Sequence, residues 1–147
     1  MNRFQIIPLI LIFLNFSCVK NTEILPEDDL SVEEKKWRSQ NLEDYEFTLQ
    51  ISCFCVLEYT YPKRVVVKNN EVFQVNETPI EEINDPSIRT IDGYFSFIRE
   101  TRKEKPDEEE ITFDPEMGYP TTIFFDISYM IADEEIRYSI SNLIPLK

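Results

Sequence analysis

The chain has 147 residues, 28 of them acidic and 15 basic, with no histidine, three cysteines and two glycines. A formal charge of −13 speaks against nucleic-acid binding, which needs clustered Lys and Arg, and the missing histidine removes the commonest proton shuttle and metal ligand. A hydrophobic share of 42%, with 11 Phe, 7 Tyr and 1 Trp, is too high for a polar disordered tail and fits one packed domain.

Met1-Asn2-Arg3 carries one positive charge, and residues 4–14 are almost wholly apolar. About eleven helical residues rise ~16 Å, roughly half the ~30 Å hydrocarbon core, so this stretch reads as a secretory signal peptide and not as a transmembrane anchor. Its tail, Leu14-Asn15-Phe16-Ser17-Cys18, resembles the lipobox of bacterial lipoproteins, in which a small residue precedes an acylated cysteine. Asn15 stands where leucine is usual, and Leu14 lies one place further out. The expected organisation is a signal peptide over 1–17, lipidated Cys18 opening a tether over 18–30, and one domain over 31–147. The resemblance implies membrane attachment through fatty chains on Cys18, strong once two or more are present. Val19 after the cysteine, in place of Asp, implies sorting to the outer membrane of the cell envelope. A plain secreted protein is the alternative. Loss of Arg3 leaves the mature chain at 14 basic against 28 acidic residues, a charge that repels anionic headgroups and holds the domain off the bilayer.

Residues 19–30 are polar and aperiodic, as a spacer would be. Ser31-Val32-Glu33-Glu34 has the form of a capping box and predicts a short helix to about Gln40, with Trp37 as its core anchor. In residues 45–55, Tyr45, Phe47, Leu49, Ile51, Cys53 and Cys55 occupy the odd positions, and only Phe54 breaks the polar even ones; this predicts a half-buried strand. Residues 63–68 and 71–76 flank Asn69-Asn70, a hairpin turn that sets Lys68 opposite Glu71. Valines on both faces leave the buried side open. Residues 78–89 contain Pro79 and Pro86 and are expected to form a connecting loop.

A second helix is predicted from Thr90, since Ile91, Tyr94, Phe95 and Ile98 fall at i, i+3, i+4 and i+7. The acidic run 107–110 is expected to be solvated and to lead into a strand through Ile111 and Phe113. Asp114-Pro115-Glu116-Met117-Gly118 suits a type I turn followed by a left-handed residue, and further strands are predicted over 120–127 and 135–141. The order α-β-β-β-α-β-β-β, with links too short for parallel crossovers, gives an α+β fold: an antiparallel sheet of about six strands with two helices on one face.

Cys53-Phe54-Cys55 is the most specific local feature. Alternate strand residues lie about 6.6 Å apart, at the upper edge of the disulfide range, so a bridge requires a bend. Four readings stay open: a structural disulfide, two buried thiols, a redox pair, or half of a metal site. No G-x-S-x-G, phosphate-cradling glycine loop or histidine-activated nucleophile occurs, so no catalytic residue, metal ligand set or cofactor is assigned.

Three segments, Ser52-Cys53-Phe54-Cys55, Thr90-Ile91-Asp92-Gly93-Tyr94-Phe95 and Asp114-Pro115-Glu116-Met117-Gly118-Tyr119-Pro120-Thr121, resemble an uncharacterised family of small bacterial lipoproteins known only as a domain of unknown function. The similarity spans about Trp37 to Ser141. It implies an exported α+β domain and brings no substrate or catalytic residue. Both glycines, Gly93 and Gly118, fall inside these segments, and Gly93 is expected to let its helix press on a strand. Asp92, Gly93, Asp114, Pro115, Gly118, Tyr119 and Pro120 are then either a packing corner or part of a ligand site shared with Cys53. The functional expectation is a lipid-anchored, non-enzymatic binding or scaffolding module for an envelope protein partner with basic or aromatic groups. The alternative is a periplasmic thiol-redox or metal-handling protein using Cys53 and Cys55.

Overall fold

The computed structural model describes residues 28–147. The expected signal peptide over 1–17, the lipidation expected at Cys18 and the expected tether up to residue 27 fall outside the described residues. Within them the order is α1 (Asp29–Ser39), β1 (Tyr45–Ser52), a 3-10 turn (Leu57–Thr60), β2 (Lys63–Lys68), β3 (Glu71–Val75), β4 (Thr78–Pro79), a second 3-10 turn (Ile80–Glu82), α2 (Ile91–Lys103), β5 (Glu108–Phe113), β6 (Pro120–Asp126) and β7 (Ile136–Pro145). All pairings are antiparallel, in the order β4-β3-β2-β1-β7-β6-β5. The first and last long strands therefore meet at the centre, and each begins a meander running outward.

Two periodicities meet in the core. Tyr45, Phe47, Leu49 and Ile51 of β1 are each 1% exposed or less, and Ile91, Tyr94, Phe95 and Ile98 of α2 are fully buried. Val65 and Val67 join this cluster from β2, which settles the face of the hairpin; Val66 is also buried but stands outside the cluster. Asn69 and Asn70 make the turn at φ 52° and 62°, and Lys68 pairs with Glu71 as the sequence predicts.

Three expectations are corrected. Helix α1 begins at Asp29, two residues before the expected start of the domain at 31. Its cap is Asp28, whose carboxylate accepts from the Ser31 amide at 2.8 Å; the capping box at Ser31 does not form. The earlier cap satisfies a free amide just as well and brings Leu30 into the core at 2% exposure. Glu34, freed from capping, sits between Arg38 (2.8 Å) of its own helix and Arg99 of α2 and ties the two helices together. The expected loop over 78–89 gives up two residues to β4, with Thr78 opposite Val75 and Pro79 opposite Gln74, an edge position where a residue without an N–H is tolerated. The sheet thus has seven strands.

The two ends of the sheet differ in what they carry. At one lie the link 40–44, the Asn69-Asn70 turn, the turn 114–119 and the start of α2, where the Ile91 amide donates to the buried Tyr45 hydroxyl at 3.0 Å. At the other lie the connections 53–62 and 127–135 and the link 104–107 from α2 into β5.

Candidate functional site

Two of the three family-like segments converge on Trp37, which is 3% exposed. Its ring stands edge-on to Tyr45 at 5.3 Å and to Tyr119 at 6.4 Å, and its Nε1 donates to Asp92 Oδ2 at 3.2 Å. Asp92 also faces Arg38 at 3.5 Å. The turn beneath is closed by its own residues: Asp114 Oδ1 accepts from the amides of Glu116 (3.0 Å) and Met117 (2.7 Å), and the Asp114 amide donates to the Tyr119 carbonyl at 2.8 Å. Gly118 has φ +80°, and a Cβ there would lie 2.6 Å from the Glu33 carbonyl oxygen and 2.9 Å from Lys36 Cβ. That close approach is what lets α1 lie on the turn, with Lys36 Nζ donating to the Pro115 carbonyl at 3.3 Å. Pro120 is buried where β6 begins. Burial, and secondarily Asp114, raises the Tyr119 hydroxyl above its ordinary range.

This is a packing corner in which the polar groups satisfy one another. Gly93 serves it differently from the expectation. Its amide donates to the Thr90 hydroxyl at 3.0 Å, and an added Cβ would meet Arg89 Cβ at 3.0 Å, so the close contact is with its own helix cap and not with a strand. Beside the corner lies an open depression of about 360 Å³ lined in part by Trp37, Arg38, Leu42, Asn70 and Asp92.

Cys53 is not part of this arrangement. It follows the last residue of β1, about 26 Å along the strand from Tyr45 at ~3.3 Å per residue. Strand β1 stops at Ser52, and the chain bends so that the Cα atoms of Cys53 and Cys55 come within 5.3 Å and their sulfurs are joined. A shared site of Cys53, Asp92 and Tyr119 is therefore ruled out by placement. Among the described residues, no group of three or more His, Cys, Asp or Glu side chains could hold a metal ion. No helix among them is long and apolar enough to cross a membrane.

The bend opens a surface that the sequence does not announce. Phe54, Val56, Leu57 and Tyr61 in one connection and Tyr129, Met130 and Ile131 in the other make up seven of the ten exposed large apolar side chains among the described residues. Phe54 is 82% exposed and Met130 94%. The first connection leaves β1 and the second runs from β6 into β7, the neighbour of β1, since Ser52 pairs with Arg137 and Ile136 pairs with Phe125. Between them they hold Glu58, Asp133, Glu134 and Glu135 and no basic residue. Both are braced: the Tyr59 hydroxyl bonds Asp85 (3.0 Å) and Ser87 (2.9 Å), the Ser128 amide donates to Glu134 (2.7 Å), and the Tyr129 amide donates to Asp107 (2.9 Å). At their root Asp126 is 6% exposed with Oδ1 lacking a hydrogen-bond partner; burial first, then Glu135, Glu134 and Asp107, push its carboxyl above the ordinary range.

An antiparallel sheet with one helix-covered face, a sealed corner at one end and apolar loops at the other defines a class of small α+β domain. The model of a family of unknown function, DUF6174, matches residues 29–145, and the chain belongs to that family. No curated protein and no solved structure matches the chain significantly.

Proposed function

We propose that the chain is a lipid-anchored protein of the bacterial cell envelope, sorted to the outer membrane, that works as a non-enzymatic binding module for a protein partner. The observation that carries the binding reading is the gathering of seven exposed apolar side chains into two braced, acidic connections at one end of the sheet. Exposed apolar side chains concentrated at one end of a fold suit an interaction site, whereas ones scattered singly over a surface do not.

The point where the chain enters the domain supports the same reading. Asp29, at the start of α1, faces Arg102 at 3.4 Å, and Arg102 is held by Glu109 at 2.9 Å, so the tether joins at the end of the sheet that bears the apolar loops. Ten residues from Cys18 to Asp28 reach at most about 36 Å. A lipid on Cys18 therefore keeps the apolar end near the bilayer, within reach of other membrane proteins, while the acidic surface disfavours lying on anionic lipid.

The test is a photo-cross-linking amino acid placed in turn at Phe54, Met130, Val32 and Phe73 in growing cells. A discrete adduct from the first two and none from the last two is expected; equal adducts at all four, or none at any, overturn the docking surface. Feeding a palmitate analogue tests the anchor, and Cys18→Ala should abolish the label.

A second reading, thiol-disulfide exchange, is favoured by the joined sulfurs of Cys53 and Cys55 beside the exposed Phe54. Thiol titration with and without reductant separates the two. A bridge that exchanges readily with glutathione supports the redox reading, and one that does not turn over supports docking.

A further inference from the structure

On the helix side of the same sheet end, a groove of about 250 Å³ opens between the last turns of α2 and strands β6 and β7. Its walls are Phe97, Phe125, Ile127, Ile136 and Tyr138, with Glu104 and Glu134 in the lining as well. The aromatic walls hold one another: Phe97 stands edge-on to Phe125 at 5.9 Å and to Tyr138 at 5.5 Å. The volume is below the usual ~300–1,000 Å³ of small-molecule sites, and it suits a protruding side chain better than a cofactor.

The charged residues of its lining, Glu104 and Glu134, have one sign. Glu104 caps the C-terminal end of α2, where the helix's own partial negative charge disfavours a carboxylate and favours a cation. The bases of that last turn are engaged elsewhere, Arg102 with Asp29 and Glu109 and Lys103 with Glu100 at 2.7 Å. Glu134 is aimed by the Ser128 amide that donates to it, and Asp126 lies buried behind that connection with one oxygen unpartnered. Arg89 lies over the Phe97 ring at 4.5 Å but does not line the groove.

An apolar slot with carboxylates and no base in its lining is complementary to an apolar side chain flanked by a cation. We infer that this groove seats a short basic segment of the protein partner, with a Leu- or Phe-sized side chain among Phe97, Phe125 and Ile136 and an adjoining Lys or Arg at Glu104 and Glu134. The inference rests on the docking reading above and specifies which part of that end anchors the partner.

The test uses the full mature protein, isotope-labelled in detergent micelles, titrated with an eight-residue peptide of alternating arginine and leucine and with its glutamate-leucine counterpart. Amide shifts confined to the groove, chiefly at Phe97, Thr101, Glu104, Ile127, Glu134 and Ile136, are expected with the basic peptide alone. The Glu104→Gln/Glu134→Gln double variant keeps the Ser128 acceptor and should bind at least tenfold more weakly while unfolding at the same temperature as the parent. Shifts centred on other acidic faces, such as Glu81 and Glu82 or Asp114 and Glu116, no shifts at all, or undiminished binding by the double variant would overturn the inference. So would groove shifts produced by phosphatidylethanolamine vesicles and not by the peptide. Cross-links from Phe54 and Met130 that persist in the double variant would reject the groove and leave the docking surface standing; their absence in the parent protein would reject the docking surface itself.

Discussion

The two ends of the sheet solve opposite problems with similar residues. At the Trp37 corner, aromatic rings, carboxylates and a left-handed glycine are used up on one another: Asp92 takes the indole N–H, Asp114 closes its own turn, and Gly118 admits α1. At the other end Phe54, Tyr129 and Met130 project from braced connections and meet no core. Burying such side chains is worth roughly 1.5–3 kcal/mol each, so leaving them in water forgoes stability that the corner collects. The contrast shows a corner whose groups are spent on packing, and it supports the proposal that the open end is kept for recognition.

Substitutions at the corner should show the largest effects. Trp37→Ala removes the ring on which Tyr45 and Tyr119 pack and should destabilise by about 3–5 kcal/mol in urea unfolding. Gly118→Ala, strained at positive φ and driven into the Glu33 carbonyl, should lose about 2–4 kcal/mol. A Trp37→Ala loss below about 1 kcal/mol would remove the corner's structural role.

Effects at the open end should be smaller. Replacing Cys53 and Cys55 together by Ser opens a bridge between residues two apart, a loop so short that the loss should stay under about 2 kcal/mol. Asp126 sharpens the comparison through pH. Its folded carboxyl binds protons more tightly than the unfolded one, so its ionisation subtracts stability as pH rises through the ordinary carboxylate range and above, and the penalty vanishes below that range. Asp126→Asn should therefore be more stable than the parent at neutral pH and equal to it in acid, read from urea midpoints across pH; parallel curves would refute this. Phe54→Ser and Met130→Ser should change stability by no more than about 0.5 kcal/mol, and a loss comparable with Trp37→Ala would mean that they belong to the core after all.

Much of the fold was legible because its signals are local. The Asn69-Asn70 turn, the Ile91-Tyr94-Phe95-Ile98 stripe and the turn ending at Gly118 each depend on a few adjacent residues, and all three form as read. Helix α1 was misplaced at its start because Asp28 and Ser31 are equally good caps and only the burial of Leu30 chooses between them. The last strand runs to Pro145, beyond the expected 141, because the break in alternation at Asn142, φ 53°, is absorbed beside a register shift in β1 between Glu46 and Thr48. Of the candidate site, turn and glycine signals in the sequence pick out the corner residues, but nothing local ties them to Trp37, and nothing local separates them from Cys53, which the fold sends to the opposite end. The open end is not legible as a surface, since Phe54 reads only as a break in the polar even positions of 45–55 and nothing local to Met130 tells that the chain there turns away from the sheet.

The most direct test is the oxidation of Met130 by dilute peroxide, followed by mass spectrometry, in intact envelopes and in the purified protein, with half-buried Met117 as the internal reference. Docking predicts that Met130 oxidises readily in the purified protein and is protected in the envelope while Met117 changes little. Equal oxidation of Met130 in both settings would contradict the assignment of this end to recognition.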